Sequence, residues 1–427
     1  MTHKPRYFTV ALIFLIFAVI SFLTNILNPL IPEVKRSFDL SNAMAGLLPF
    51  AFFIAYAVMS IPAGILLDRT GAKFMTVLPF ALACLAAFAF ALLPNYGVYL
   101  ISLFAIGLGM AMLQVTINPL LRAAGGEPHF AAFSVLGQLF FGAGAYLAPQ
   151  VYKHLVSGLA ERDSLSGAMA VLGKAVPEQL PWLSLYWVFG LVTLLMVLLL
   201  LVVRIPRIEL TEQEQSGDKR SYLQLIRSRT GLLFFLGIFA YVGTEQGVGN
   251  WISEFLYQYH GVDPQTDGAN VVSWFWAALT FGCLLGLVVI KLFDSRKVLI
   301  GASAGAMVAL LLALTSGEEM AKLAFPAVGF FASVMWSIIV SLALNSVASH
   351  HGSFSGILCT GIMGGAIVPL IVGFLADHIG LRLAMGFLFV TLAYILSIGI
   401  WARPLIANST VQWRRLLRKN ASTPAAR

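Results

Sequence analysis

Of the nineteen Asp and Glu residues in this chain, one stands where a charge is hardest to keep. Glu245 falls near the middle of a long apolar stretch, in Tyr241-Val-Gly-Thr-Glu-Gln-Gly-Val-Gly249. At the centre of a membrane helix a charge costs about 2.5–3.5 kcal/mol on insertion scales. Such a carboxyl must face a cavity, pair with a partner or stay protonated, which suits a group that takes up and releases an ion. A neutral Glu bonded to a neighbouring helix is the structural alternative. The uncharged polar residues form a second set. Asn25, Asn28, Gln114, Asn118, Gln138, Gln246, Asn250 and Asn345 all lie within apolar stretches. Each amide both donates and accepts hydrogen bonds, the chemistry that meets a neutral, polyhydroxylated solute. Gln114 and Asn118 stand at i, i+4 and share a helix face. For any one amide, packing between helices accounts for it as well as ligand contact does. Trp251, Trp274, Trp276 and Trp336 are the aromatic surfaces available to such a solute. Trp182, Trp187 and Trp401 fall near the ends of apolar stretches, where interfacial anchoring is expected. Glu254 also lies near an end and is expected to be solvated.

Other chemistry finds little support. Cys84, Cys283 and Cys359 sit inside apolar stretches without metal-ligand spacing and read as small hydrophobes. There is no phosphate-binding P-loop, no catalytic constellation, and nothing that asks for a cofactor or metal. His350 and His351 have no partners in sequence. The chain is expected not to be an enzyme.

The elements that must position these residues follow from composition. The 427 residues are 59% hydrophobic and 11% charged, with mean hydropathy +0.87. Soluble chains carry about 25% charged residues, so the outside of this protein faces something other than water. Apolar runs of 20 residues or more match the length a helix needs to cross ~30 Å of hydrocarbon. Lipid offers exposed backbone no partner, which restricts an open choice to helices. We place twelve spans, at 7–31, 42–67, 74–93, 96–120, 130–152, 181–203, 232–256, 268–290, 297–315, 322–347, 354–377 and 382–402. The first, from Tyr7 to Ile31, is too long for a cleaved leader and lacks a small-residue cleavage site.

Orientation follows from Lys and Arg. With the N-terminus cytoplasmic, the outer side holds only Lys35, Arg36, Lys153, Arg162, Lys174, Lys322 and Arg382 of the 27 basic residues. Both tails are therefore expected in the cytoplasm. The same placement in short loops, rather than on one patch, argues that the net charge of +8 does not serve nucleic acid. The charged stretch 205–231 divides the chain into halves, 1–204 and 232–427. The basic tail beyond Arg403, with Trp413 and Leu416 beside Arg414 and Arg415, is expected to rest on anionic lipid.

Two patterns repeat. Asn28-Pro29-Leu30 ends the first span and Asn118-Pro119-Leu120 ends the fourth, which run in opposite directions; inverted three-helix repeats produce that relation. The loop after the second span reads Gly64-Ile-Leu-Leu-Asp68-Arg69-Thr70-Gly71-Ala72-Lys73. Gly64 allows close packing, Asp68 can cap or pair across the helix junction, Gly71 permits a tight turn, and Arg69 and Lys73 mark the cytoplasmic side. This loop closely resembles the signature of the major facilitator superfamily, G-x-x-x-D-[R/K]-x-G-x-[R/K]. The resemblance implies two pseudo-symmetric six-helix bundles and a loop that latches the halves on the inner face. In the second half, Lys291 to Lys297 keeps only Asp294 and basic residues. Gly373-Phe-Leu-Ala-Asp377-His-Ile-Gly380-Leu-Arg382 matches the spacing better, but on the outer side, where a structural role is expected.

A finer resemblance covers most of the chain. Pro32 with Lys35-Arg36-Ser-Phe38, then Ile61-Pro-Ala-Gly64, Asn118-Pro119, Tyr241-Val-Gly243 and Gly361-Ile-Met-Gly-Gly365 resemble the fucose permease and glucose/galactose transporter branch. That resemblance implies sugar transport. It also marks two departures: where the permease carries Asp in its first span this chain has Asn28, and where it carries Glu in its fourth this chain has Gln114. Amides carry no proton, so the permease's proton-coupling acids are missing here. Gln138 matches a Gln of the permease's fifth span. The expectation is a monomeric transporter of the cytoplasmic membrane that imports a hexose, deoxyhexose or amino sugar, with proton or sodium coupling at Glu245. A drug or metabolite exporter of the same fold, an uncoupled facilitator and a non-transporting sensor are the alternatives.

Overall fold

The computed structural model describes residues 6–25, 27–125, 127–160, 166–205, 219–347 and 351–405. Residues 206–218 of the charged stretch lie outside the described residues, as do His350, most of the basic tail and the side chain of Asp68, while Lys219–Arg227 forms a short helix.

Long helices follow one another as the apolar runs predict. They are α1 (Tyr7–Ser37), α2 (Asn42–Leu67), α3 (Arg69–Leu92), α4 (Tyr96–Gly125), α5 (Glu127–Ala160), α6 (Pro181–Val202), α7 (Arg229–Gly249), α8 (Pro264–Leu292), α9 (Ser295–Thr315), α10 (Glu318–Leu344), α11 (Ser353–Ile379) and α12 (Leu381–Trp401). Eleven are long and apolar enough to cross a bilayer. The other is α5, with 34 residues, which carries Gln138, Gln150, Lys153 and His154 at the fifth expected position. Among the described residues there is no strand.

Helix ends are set by local chemistry. Ser41 caps α2 by accepting from the Met44 N–H, Ser228 caps α7 through Gly231, and Asp294 caps α9 through Arg296. Between α2 and α3 the chain turns at Gly71, with φ 79° and ψ 168°, a region open essentially to glycine. Lys73 then donates to the carbonyls of Leu201 and Val203, at 2.9 and 2.6 Å, which closes the end of α6. A cation suits those unpaired carbonyls at the negative end of the helix dipole.

Two departures from the expected spans bear on the site. The seventh is not continuous: α7 stops at Gly249, the backbone tightens at Asn250 and Trp251, and a second helix runs over Ile252–His260. The Trp251 N–H bonds back three residues, to Val248. Trp182 is not an interfacial anchor. It is buried, donates to Ser37 Oγ at 2.9 Å, and packs among Phe38, Phe90, Tyr99 and Tyr186. Its indole N–H found a partner on α1, so the headgroup region is not needed.

The helices gather at two faces. At the N-terminal face the Arg6 N–H meets the Ala124 carbonyl, and the Leu405 N–H meets that of Asn345. At the opposite face Tyr96 Oη donates to the Met44 carbonyl, and the Arg382 N–H to Tyr259 Oη. The two halves meet through α2 against α11 and α5 against α8. Their contact runs from Asn42 and Asp377 at the opposite face through Gly46 and Leu370 to Phe53 and Gly365.

Candidate functional site

One amide joins the halves in the interior. Asn28, fully buried on α1, donates from Nδ2 to Asn250 Oδ1 at 3.1 Å and to Gln246 Oε1 at 3.5 Å. Its Oδ1 accepts from Trp276 Nε1 on α8 at 3.2 Å. Asn250 is placed by the break in α7: as the residue closing that helix, it turns Nδ2 back onto the Gln246 carbonyl at 2.8 Å, which leaves Oδ1 free for Asn28. Four neutral groups from three helices therefore share one hydrogen-bonded cluster.

Glu245 joins this cluster at its edge. Gln246 Nε2 donates to Glu245 Oε1 at 3.2 Å, and Tyr241 Oη donates to Oε2. Both partners belong to α7. The carboxyl is half-buried, and its tyrosine packs against Trp336 of α10 with ring centroids 6.0 Å apart. A continuous path of hydrogen bonds thus runs from Asn28 in one half through Gln246 to the single mid-span carboxyl of the other.

The remaining amides line a second level, nearer the N-terminal face. Gln114 is half-buried, and Asn118 and Gln138 are exposed, although all three stand on helices long enough to cross the membrane. Polar contacts between the halves lie toward the other side. Gln150 Nε2 bonds Asn270 Oδ1 and Ser273 Oγ at 3.2 and 2.9 Å, Lys35 pairs with Glu254, and Asp377 accepts from the first turn of α2. These contacts hold the halves together at the opposite face.

Other expected site residues stand apart. Asn25 is buried on α1 and bonds Ser21 on its own helix, with its Oδ1 unpaired. Trp274 is exposed on α8 and meets the Tyr146 ring edge-on at 6.3 Å. Trp251 is core, with Nε1 on the Pro369 carbonyl at 3.3 Å. Asn345 closes a helix at the N-terminal face. In the loop after α2, Gly71 makes the expected turn, Arg69 is exposed, and Lys73 holds α6. An apolar cavity of about 350 Å³ between α8, α9 and α10, lined by Gly282, Gly286, Phe330 and Lys297 among others, includes none of the cluster residues.

One expectation fails outright. Glu254 is not solvated: it is buried, ion-paired with Lys35, and accepts from Gln258. Its partner stands 219 residues away on α1, so no local pattern announced it. Gln150 was missed for the same reason. Its signal was an amide three residues before Lys153 in α5. Among the described residues, no group of three His, Cys, Asp or Glu could hold a metal ion.

The profile of the Major Facilitator Superfamily matches residues 13–255. A glucose/galactose transporter of Brucella abortus biovar 1 is 32% identical over 408 residues, covering 93% of this chain and 95% of that protein. An L-fucose-proton symporter of Escherichia coli is 28% identical, with 86% of each chain covered. Two solved structures share the fold. The transporter FucP, in its outward conformation, superposes with TM-score 0.66 at 24% identity over 92% of this chain and 98% of that one. An inward-facing bacterial homologue of the lysosomal transporter Spinster gives 0.78 at 18% identity, over 99% and 100%.

Proposed function

Because this chain belongs to the Major Facilitator Superfamily, we propose that it is a secondary active transporter that imports a neutral sugar by alternating access. The carrying observation is the uncharged cluster of Asn28, Gln246, Asn250 and Trp276, which spans both halves beside one carboxyl. A hexose, deoxyhexose or amino sugar presents several hydroxyls, each a donor and an acceptor, and the cluster offers the same two functions in a place shielded from lipid. The names of two relatives, a glucose/galactose transporter and a fucose-proton symporter, support that substrate class. Amides in place of the branch's acids favour a neutral ligand over a cationic drug.

In this reading residues 1–204 and 232–427 are the two bundles, joined by the stretch 205–231, and they rock about the cluster. Gln114, Asn118 and Gln138 line the route to the N-terminal face, and Asn25, Trp274, Trp336, Trp251 and Asn345 complete the residues we assign to substrate. The N-terminal face is cytoplasmic, since the basic residues collect there. The protein acts as a monomer in the cytoplasmic membrane. Gly64, Asp68, Arg69, Gly71 and Lys73 form the inner gating loop. Glu245 takes the coupling ion, a proton or sodium, and its state reaches the other half through Gln246.

Uptake into proteoliposomes of glucose, galactose, fucose and glucosamine, with imposed proton or sodium gradients, tests the proposal. We expect saturable uptake of at least one sugar, raised by one gradient and lost in Asn28→Ala. Absence of uptake and of binding across the panel would sink the sugar assignment. Labelling of Gln215→Cys from outside would overturn the orientation.

A further inference from the structure

The loop between α11 and α12 repeats the loop between α2 and α3 residue for residue in its spacing. Gly64, Asp68, Gly71 and Lys73 correspond to Gly373, Asp377, Gly380 and Arg382. The backbone repeats as well: Gly71 turns at φ 79°, ψ 168° and Gly380 at φ 80°, ψ 150°. One loop stands at the N-terminal face and the other at the opposite face. Inverted repeats place equivalent devices at the two sides of a membrane.

The second loop's carboxylate crosses between the halves. Asp377 Oδ1 accepts from the Asn42 N–H and Oδ2 from the Ala43 N–H, both at 2.8 Å. These are unpaired amides of the first turn of α2, at the positive end of its dipole. Asn42 in turn accepts from Lys35 Nζ at 2.7 Å, and Lys35 pairs with Glu254. The network therefore runs from α11 to α2 to α1 to the helix Ile252–His260 that follows α7, crossing between the halves twice. Gly373 sits where α11 meets the Asn42 carbonyl and Trp251, so a side chain there would hold the helices apart. Arg382 lies over the Tyr259 ring at 4.5 Å, which anchors the loop to its own half.

We propose that Asp377 is the latch of the external gate: its carboxylate, docked on the N-terminus of α2, holds the outer face shut and is released when the transporter opens outward. The proposal rests on the alternating-access reading but not on the identity of the sugar or ion. It assigns the second loop a gating role opposite in direction to that expected of the first. Loss of a charge docked on a helix N-terminus should raise the ratio of outward-open to outward-closed molecules by up to roughly thirtyfold.

Spin labels at Leu93 and Leu383, exposed on the two halves at the outer face, read that ratio as a distance distribution in nanodiscs, with Cys84, Cys283 and Cys359 replaced by Ala. Asp377→Asn keeps the size of the side chain and removes its charge. Asn42→Pro removes one backbone donor, and the side-chain acceptor of Lys35 with it, while keeping the helix start, since position 42 follows the extended cap Ser41 and proline suits the first helical position. Each variant should move population to the longer distance. The double variant should add little to either alone, because both cut the same contact. Asp68→Asn should shift the population the other way. If wild type shows two populations and neither Asp377→Asn nor Asn42→Pro changes them, the latch is wrong and alternating access stands. A single unresponsive population in every variant, with or without sugar, would overturn both.

Discussion

Replacing Glu245 with Gln removes one titratable group and rearranges one hydrogen bond, and the two effects read out separately. In the wild type Gln246 Nε2 donates to Glu245 Oε1, while Gln246 Oε1 receives Asn28 and Asn250. In Glu245→Gln, one side-chain terminus at 245 becomes an N–H donor. With Tyr241 donating to the remaining oxygen, two amide nitrogens face each other at 245 and 246. Either Tyr241 Oη turns to accept from the new amide, which leaves the cluster intact, or Gln246 turns over, which takes its oxygen from Asn28 and Asn250. Side-chain hydrogen bonds between membrane helices average ~0.6 kcal/mol and reach ~1.7. Losing one or two weakens sugar binding by roughly three- to tenfold, a modest loss. Coupling responds far more. Moving one charge with each sugar down a potential of about 100 mV carries ~2.3 kcal/mol, which sustains roughly fifty-fold accumulation. Without a titratable group at 245 that driving force has nothing to act on, and the sugar should only equilibrate. The assay follows accumulation, counterflow exchange and binding on the same preparation. We expect accumulation to vanish while exchange and binding persist. Retained accumulation in Glu245→Gln would refute the coupling role. A wild type that equilibrates under every gradient would identify a facilitator, and parallel loss of expression and binding a structural Glu.

Other substitutions follow from the same geometry. Asn28→Ala strands Asn250, Gln246 and Trp276 together and should weaken sugar binding at least tenfold by titration calorimetry, whereas Asn28→Asp restores the acid of the fucose permease and should make binding pH-dependent. Lys35→Ala leaves the buried Glu254 carboxylate without its cation, a loss of about 3–5 kcal/mol where the partner is fully buried. The melting temperature should fall sharply, and the further change Glu254→Gln should recover part of it; no recovery would mean that the pair contributes little. Gly71→Ala forces a Cβ into a backbone region that costs of order 1–3 kcal/mol, with open space around it, so melting should drop by a few degrees without any change in packing. Lys73→Ala should loosen the end of α6 and speed hydrogen exchange at Leu201 to Val203.

The spans were legible because their signal is local. An apolar run must be as long as the hydrocarbon is thick, and a helix closes its backbone bonds within itself, so length and composition find each helix and place most ends to within about five residues, while the far ends of α1, α5 and α7 differ by six to eight. The turn at Gly71 was legible for a similar reason, since one residue type matches one backbone region. Glu245 stood out because a carboxyl in an apolar run is improbable on energetic grounds, whatever surrounds it. The break after Gly249 was not legible: Asn250 and Trp251 are compatible with a continuing helix, and the turn is held by contacts across helices. Sequence gives the depth of a residue along its span but not the side it faces. Trp182 and Glu254 fall near span ends, where interfacial anchoring is expected of the first and solvation of the second; both are buried, with Ser37 and Lys35 of α1 beside them in the folded protein. Asn28 could be named as a candidate amide, but its partners Gln246, Asn250 and Trp276 lie more than 200 residues away on two helices of the other half. Asp377 carried a recognisable spacing on the side where that spacing had no assigned use. Only the packing of α11 against the start of α2 shows what its carboxylate holds, because a contact between helices more than 300 residues apart leaves no period in either one.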